Sequence, residues 1–479
     1  MIKSSEVIEY SETFWESEGF KGNSSCWENL KSYLENYPKK NKLFVIAEKD
    51  YIDKNYLIDY VNYYSRCFED VGRKTTRFHF FEAKSKEEIC SLFSKMLTTG
   101  DCAQHCKKIN EQYLGFIVKK PNNNGVVGRT ILKKYPEIDK NGDRRILNVF
   151  RENKVNLFGV SLSLDSLPFQ EQDGAVSACA TVAIWTALQS LGRKFEVSVP
   201  LAPSEITDMA FSSGALVDSK KFPNEGLTTY QIINSFRDLG YEVYPYKDLY
   251  HYDEDFLSGL IKAFVRYGIP MVALLSLIDK TGRLDGHAVI ISGYKCDEKT
   301  GAISHLYVHD DQIGPYSKVE FFDSETYLKA KEDLKNNYHY KIENPLCLWR
   351  NEWTSRNGMK YIILDQLLIP LYPKIRMSYA RIAKFVRILR AEDFVTENSQ
   401  VDCFLADNNS YKKSIVEDLI PTFQYREDGI KILRSQLPRF FWVVRFMAPH
   451  ELCFDQLFDA TKSDPHSRPI HEIFLYNEY

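Results

Sequence analysis

The sequence predicts an α+β fold. In the middle of the chain, helix-periodic segments come first and strand-like runs follow. Ahead of them, strand and helix patterns alternate. Nowhere do about 18 apolar residues run uninterrupted, so no segment reads as a membrane span. Three regions are expected: an N-terminal α/β region over 1–150, a central domain over 151–325, and a C-terminal mixed region over 326–479 that packs on the centre.

In the first region Lys42–Ala47 is a buried-strand run, and Leu57, Tyr60, Val61 and Tyr64 fall at helical spacing within Tyr56–Cys67. Arg77–Phe81 is a second strand. Ser85–Leu97 fits an amphipathic helix, with Ser85 as N-cap and Glu88 three residues on. Tyr113–Val118 is a third strand, and Pro121–Gly125 is a loop signal. A small sheet covered by helices follows from this order.

The central region opens with one strand over Val155–Leu164, from its rough alternation, and a polar loop over Pro168–Ser177. A helix starts at Cys179. Val182, Trp185, Leu188 and Leu191 define its face, and Gly192 is its expected stop. Short helices over Ser204–Phe211 and Thr228–Leu239 precede strands at Pro270–Ile278, His287–Tyr294, His305–His309 and Tyr316–Phe322. Beyond them Tyr327–Lys335 reads as helix, Tyr361–Leu371 and Phe440–Met447 as strands. Arg376–Leu389 reads as a helix whose Arg376, Arg381, Lys384 and Arg387 make a solvated basic face.

Composition narrows the function classes. The 479 residues carry 62 Lys+Arg against 65 Asp+Glu, a net charge of −3, which excludes a strongly basic nucleic-acid binder. Thirty Tyr, thirty Phe and six Trp exclude a disordered chain. No apolar stretch follows the polar start Met1–Glu18, so no signal peptide is expected, and the ten scattered cysteines fit reduced thiols in a cytoplasmic protein. Phosphate-loop glycine motifs are absent, and no cofactor is expected. Cys102, His105 and Cys106 offer ligands at tight spacing, with Cys90 or His79 as a fourth, but the preferred reading has no metal.

Three segments carry chemistry: Phe169–Ala180 with Cys179 at a helix start, Asp285–Tyr294 with His287 opening a strand, and Leu306–Gly314 with Asp310 ending the next. A thiolate is the nucleophile of thiol catalysis, and a helix N-terminus favours the negative charge. A neighbouring His takes the proton and returns it to the leaving group, and an acid on its other nitrogen fixes the ring. A developing oxyanion needs donors, here the Cys179 backbone N–H and an upstream amide, Gln172 or Gln170. His305 and His309 are alternative bases.

These segments resemble the papain-like cysteine peptidases, above all the bacterial branch that includes double-glycine leader peptidases. Gly286-His287-Ala288-Val289-Ile290-Ile291 is similar to that branch's Gly-His-aliphatic strand. Asp310-Asp311-Gln312-Ile313-Gly314 is similar to its Asp-Pro-x-x-Gly turn, with Asp311 for Pro. The family's Gln sits six residues before the Cys, where this chain has Asp173; Gln172 is one residue further away, and Ala180 stands where the branch has Gly. The resemblance spans roughly Ser166–Phe322. It implies a papain-like core, a helix-borne Cys packed on an antiparallel sheet. It further implies a thiol protease that cleaves a peptide or isopeptide bond through a Cys179 thioester, with His287, Asp310 and Gln172 as the other catalytic residues. A protein or peptide is the expected substrate. A protein that activates or inhibits the enzyme is a further expected partner, as in a regulated effector of bacterial conflict or antiviral defence. Two alternatives stay open: a transglutaminase-like acyltransferase using the same Cys-His-Asp site, and an inactive papain-like binding module.

Overall fold

The computed structural model describes residues 6–20, 25–37, 41–98, 102–121, 126–139, 141–195, 201–212, 221–223, 226–297, 301–351, 354, 358–391, 400–419, 426–447, 453–462 and 469–475. Among them no helix is long and apolar enough to cross a membrane. Helices and antiparallel sheets together make the chain α+β, as the sequence predicts.

The first body is a five-stranded sheet of β1 (Val7–Glu9), β2 (Lys42–Tyr51), β3 (Thr75–Ala83), β4 (Tyr113–Lys119) and β5 (Val127–Leu132), in that spatial order. Every neighbouring pair is antiparallel, which corrects the α/β expectation. The connecting helices return each strand beside its predecessor instead of crossing over to a parallel partner. These helices are α1 (Phe14–Ser17), α2 (Ser25–Asn36), α3 (Lys54–Asn62), α4 (Lys86–Thr98) and α5 (Cys102–Gln112). Strand side chains alternate between faces, so one face packs Phe78 and Phe80 with Leu30, Tyr33 and Leu34 of α2. The other packs Phe81 and Phe116 with Ile89 and Phe93 of α4 and Ile109 of α5. Ser85 does cap α4, accepting from the Glu88 N–H at 3.4 Å. Of the Pro121–Gly125 loop signal, residues 122–125 lie outside the described residues.

After β6 (Arg144–Ile146) comes a hairpin, β7 (Arg151–Leu157) and β8 (Val160–Ser166), where the sequence suggests a single strand. Phe158 and Gly159, at φ +51° and +85°, make the two-residue turn that lets the alternation fold back on itself. Next come α6 (Cys179–Phe195), α7 (Pro203–Ser212), α8 (Thr229–Asp238), β9 (Glu242–Tyr246) and α9 (Glu254–Tyr267). Gly192 does not stop α6. The helix runs on because Phe195 is buried against the rings of Tyr372 and Phe440.

The main sheet follows: β10 (Met271–Asp279), β11 (Leu284–Cys296), β12 (Ile303–Asp310), β13 (Gly314–Phe321), β14 (Leu348–Arg350) and β15 (Met359–Leu371) pair in sequence, with β9 added beside β15 and β6 beside β11. β10 also pairs with β15, so the six strands close into a ring. Helix α10 (Ser324–Tyr338) lies within this stretch, so the expected boundary at residue 325 falls inside one continuous structure. The remaining strands, β16 (Gln400–Asp407), β17 (Phe440–Met447), β18 (Cys453–Asp459) and β19 (His471–Leu475), form a fourth antiparallel unit. Trp442, Phe446 and Phe458 join the core of the main sheet, and Trp442 stacks edge-on against Phe264 of α9 at 5.6 Å. The basic helix begins at Tyr379, three residues beyond Arg376, and its Arg387 pairs with Asp253.

Candidate active site

Cys179 is the first residue of α6, and Ala180, Ile184 and Trp185 seat that helix in the core against β10, β11 and β12. The thiol is therefore held at the end of a helix whose rotation is fixed by buried side chains. Cys179 itself is only half-buried. His287 stands on β11 opposite Leu275 of β10. Asp310 closes β12, where the chain turns tightly into β13. Its own carbonyl accepts from the Ile313 N–H at 3.1 Å, and its Oδ1 accepts from the Gln312 N–H at 3.0 Å.

The three side chains meet. His287 Nε2 lies 3.0 Å from Asp310 Oδ1, with both side chains 2% exposed, and Cys179 hydrogen-bonds the same imidazole. With Nε2 committed to Asp310, Nδ1 is the nitrogen left for sulfur. Burial disfavours a charged imidazole, but the Asp310 carboxylate and the Cys179 sulfur together hold His287 well above its usual range. An acid–His–thiol line of this kind can pass a proton from sulfur to nitrogen without leaving the site.

The loop before α6 is organised by Asp173. Its Oδ1 accepts from the N–H groups of Ala175, Val176 and Ser177, each at 3.0 Å, and its Oδ2 accepts from Tyr64 at 2.7 Å with Lys120 at 3.5 Å. Burial opposes the charge, but Lys120 and these donors keep the carboxyl below its usual range. The position that carries Gln in the resembling family is thus a structural hinge pin here. Gln172 is half-buried. Gln170 is 2% exposed, and its Nε2 has no hydrogen-bond partner. It sits on a segment pinned to β5: Phe169 exchanges both backbone hydrogen bonds with Thr130, and Glu171 N–H donates to Val127 O at 2.9 Å. Glu171 is also close enough to Asp311 to raise its pKa.

Two features escape the sequence reading. Asp311 is 3% exposed, 3.7 Å from His287 Nε2, and neither of its oxygens has a hydrogen-bond partner. Burial pushes it up to about 7, with His287 opposing and Asp310 reinforcing. His287, Asp310 and Asp311 have ligand atoms within 4.8 Å of one another, so they are the described residues with the geometry to hold a cation. The adjacent acids are visible in the sequence; their convergence on one imidazole is not. The second feature is α2. Its Asn29 contacts Gly314, and its buried Cys26 feels the charges of Glu171, Asp311 and Asp310. The N-terminal body therefore braces the turn that carries Asp310.

The alternative bases lie elsewhere. His309 is buried against Leu167 O at 3.0 Å and pushed down to about 3 by that burial, and His305 bonds Ser304 and faces Glu320. The candidate zinc set does not converge among the described residues. His79 is spent on Tyr113 and Glu48, and Cys90 and Cys106 pack against the N-terminal core. The side chain of Cys102 lies outside the described residues. In comparisons with known proteins, no family model and no curated protein matches this chain.

Proposed function

We propose that the protein is a cysteine peptidase of papain-like mechanism. The observation that supports this is the placement of His287 between Cys179 and Asp310, with sulfur at a helix N-terminus. Cys179 sulfur attacks the scissile carbonyl as its proton passes to His287. The carbonyl oxygen becomes an oxyanion, met by the Cys179 backbone N–H and by Gln170 Nε2, the amide that is buried and unpaired. His287 then gives its proton to the departing amine as the C–N bond breaks, leaving a Cys179 thioester. A water, deprotonated by His287, attacks the thioester; the acid product leaves and sulfur recovers its proton. Asp310 holds the ring and offsets its positive charge throughout.

The test is an epoxide or vinyl-ketone thiol probe on the full chain, with mass mapping of the adduct. Labelling at Cys179 that disappears in His287→Ala supports the reading. Labelling indifferent to His287, or directed first to another cysteine, overturns it.

A further inference from the structure

A second site lies in the N-terminal body. Between the face of the five-stranded sheet and the β7–β8 hairpin is a cavity of about 760 Å³, within the size range of small-molecule sites. Three guanidinium groups enter it, from Arg77 on β3, Arg129 on β5 and Arg151 on β7.

Their partners are unequal. Arg77 is ion-paired with Glu48 at 2.6 Å, and Arg129 pairs with Asp53 at 2.9 Å and donates to Tyr51 at 2.9 Å. The Arg129 Nε is nevertheless buried without an acceptor. Arg151 donates its Nε to Asn153 Oδ1 at 2.9 Å and has no carboxylate partner among the described residues. Burial and the Arg129 charge together pull it down to about 10. Glu152 and Lys154 are exposed on the cavity rim and cancel in charge. A guanidinium crowded against another and left without an anion is an unsatisfied feature of the folded chain.

The rim supplies the other half. Phe158 lines the same cavity, half exposed, at the hairpin tip with φ +51°. A non-glycine residue in that region is uncommon, and an aromatic held there faces water. An aromatic plate beside a cationic pocket matches a ligand that joins a phosphate to a planar ring, through bidentate guanidinium contacts and ring stacking.

We infer that this cavity is a nucleotide-binding site, with phosphate on Arg151 and Arg129 and the base against Phe158. The inference does not depend on the peptidase reading. Calorimetry on the full chain, with ATP, GTP and tripolyphosphate as probes, tests it. ATP or GTP should bind at or below millimolar concentration and more tightly than tripolyphosphate. Arg151→Met should weaken binding about tenfold or more, and Phe158→Ala should weaken the nucleotides but not tripolyphosphate. Without ligand, Arg151→Met should melt no lower than the parent, because it removes an uncompensated charge. The inference is overturned by absence of nucleotide binding, by binding unchanged in Arg151→Met, by equal affinity for tripolyphosphate, or by a ligand-free Arg151→Met that melts lower.

Discussion

Asp311 stands 3.7 Å from His287 Nε2, a nitrogen that Asp310 already occupies at 3.0 Å, and both acids are buried. One imidazole therefore faces two buried carboxyl groups. Like charges this close cannot both be held cheaply, which is why one of the two acids takes up its proton near neutrality.

That relationship sets a pH dependence. Asp311 is raised to about 7 in the folded chain, so the folded state holds a proton that the unfolded state has released. Its contribution to stability is present below the unfolded carboxylate range and is lost as pH rises through about 7. His287, also raised, loses its contribution in the same alkaline direction. Asp311→Asn should therefore flatten the fall in melting temperature between about pH 5 and about pH 8, leaving the His287 part. Parallel melting curves for parent and variant would show that Asp311 does not titrate there.

Cys179→Ala should abolish turnover, by about 10⁴-fold or more, at almost no cost in stability, since a half-buried thiol makes little of the core. His287→Ala should lose turnover equally and also lose stability, about 3–5 kcal/mol, because it strands two buried carboxyl groups. The double variant should be no slower than either single one. Urea denaturation beside a peptide-cleavage assay separates these outcomes.

Asp310→Asn should lower turnover without removing nucleophile or base. The loss should be smaller than, or at most equal to, that of Cys179→Ala. Its Oδ1 also holds the turn through the Gln312 N–H at 3.0 Å, and Asn retains that acceptor, so the fold should persist. A variant with parental kcat would remove Asp310 from the mechanism.

The two glutamines should separate cleanly. Gln170→Ala should reduce kcat about 10²–10³-fold as an oxyanion donor is lost. Gln172→Ala should change kcat little. The reverse result would restore Gln172 to the role expected from the sequence.

Alkylation at mildly acidic pH should select Cys179 over Cys67. Cys67 is exposed and would win a contest of access alone. Near pH 6 an ordinary thiol is almost fully protonated, so only one beside an imidazolium reacts quickly. Iodoacetamide labelling followed by peptide mapping reads the order, and faster reaction at Cys67 would deny the Cys179–His287 pair its activating effect.

Much of this site was legible because its chemistry is local in pattern. Cys179 opens an apolar helical face, His287 precedes the apolar run Ala288–Ile291, and Asp310 follows the strand-like run Leu306–His309. Long-range pairings were not legible. Nothing near Phe169 announces that it pairs with Thr130, and without that pairing the choice between Gln170 and Gln172 stays open. Helix α9 carries its signals in the sequence, although no helix is assigned there from the sequence: Asp253 caps it, Leu257, Leu260, Ile261 and Phe264 form its stripe, and Gly268 ends it at φ +86°. The hairpin turn at Phe158 was hidden because a type I′ turn usually signals itself with Asn or Asp before Gly.

The ring formed by β10 to β15 bears on the order in which the folded site is completed. Its last strand, β15, is made long after Cys179, His287 and Asp310 have all been polymerised. Until Met359–Leu368 of β15 emerge, β10 lacks a neighbour on one side, and β11, which carries His287, belongs to a sheet that has not closed. A ribosome-bound chain thus holds all three side chains before it holds the finished sheet that positions them. The meeting of Cys179, His287 and Asp310 is therefore expected late in folding, as the ring closes, because of the order in which the strands are made.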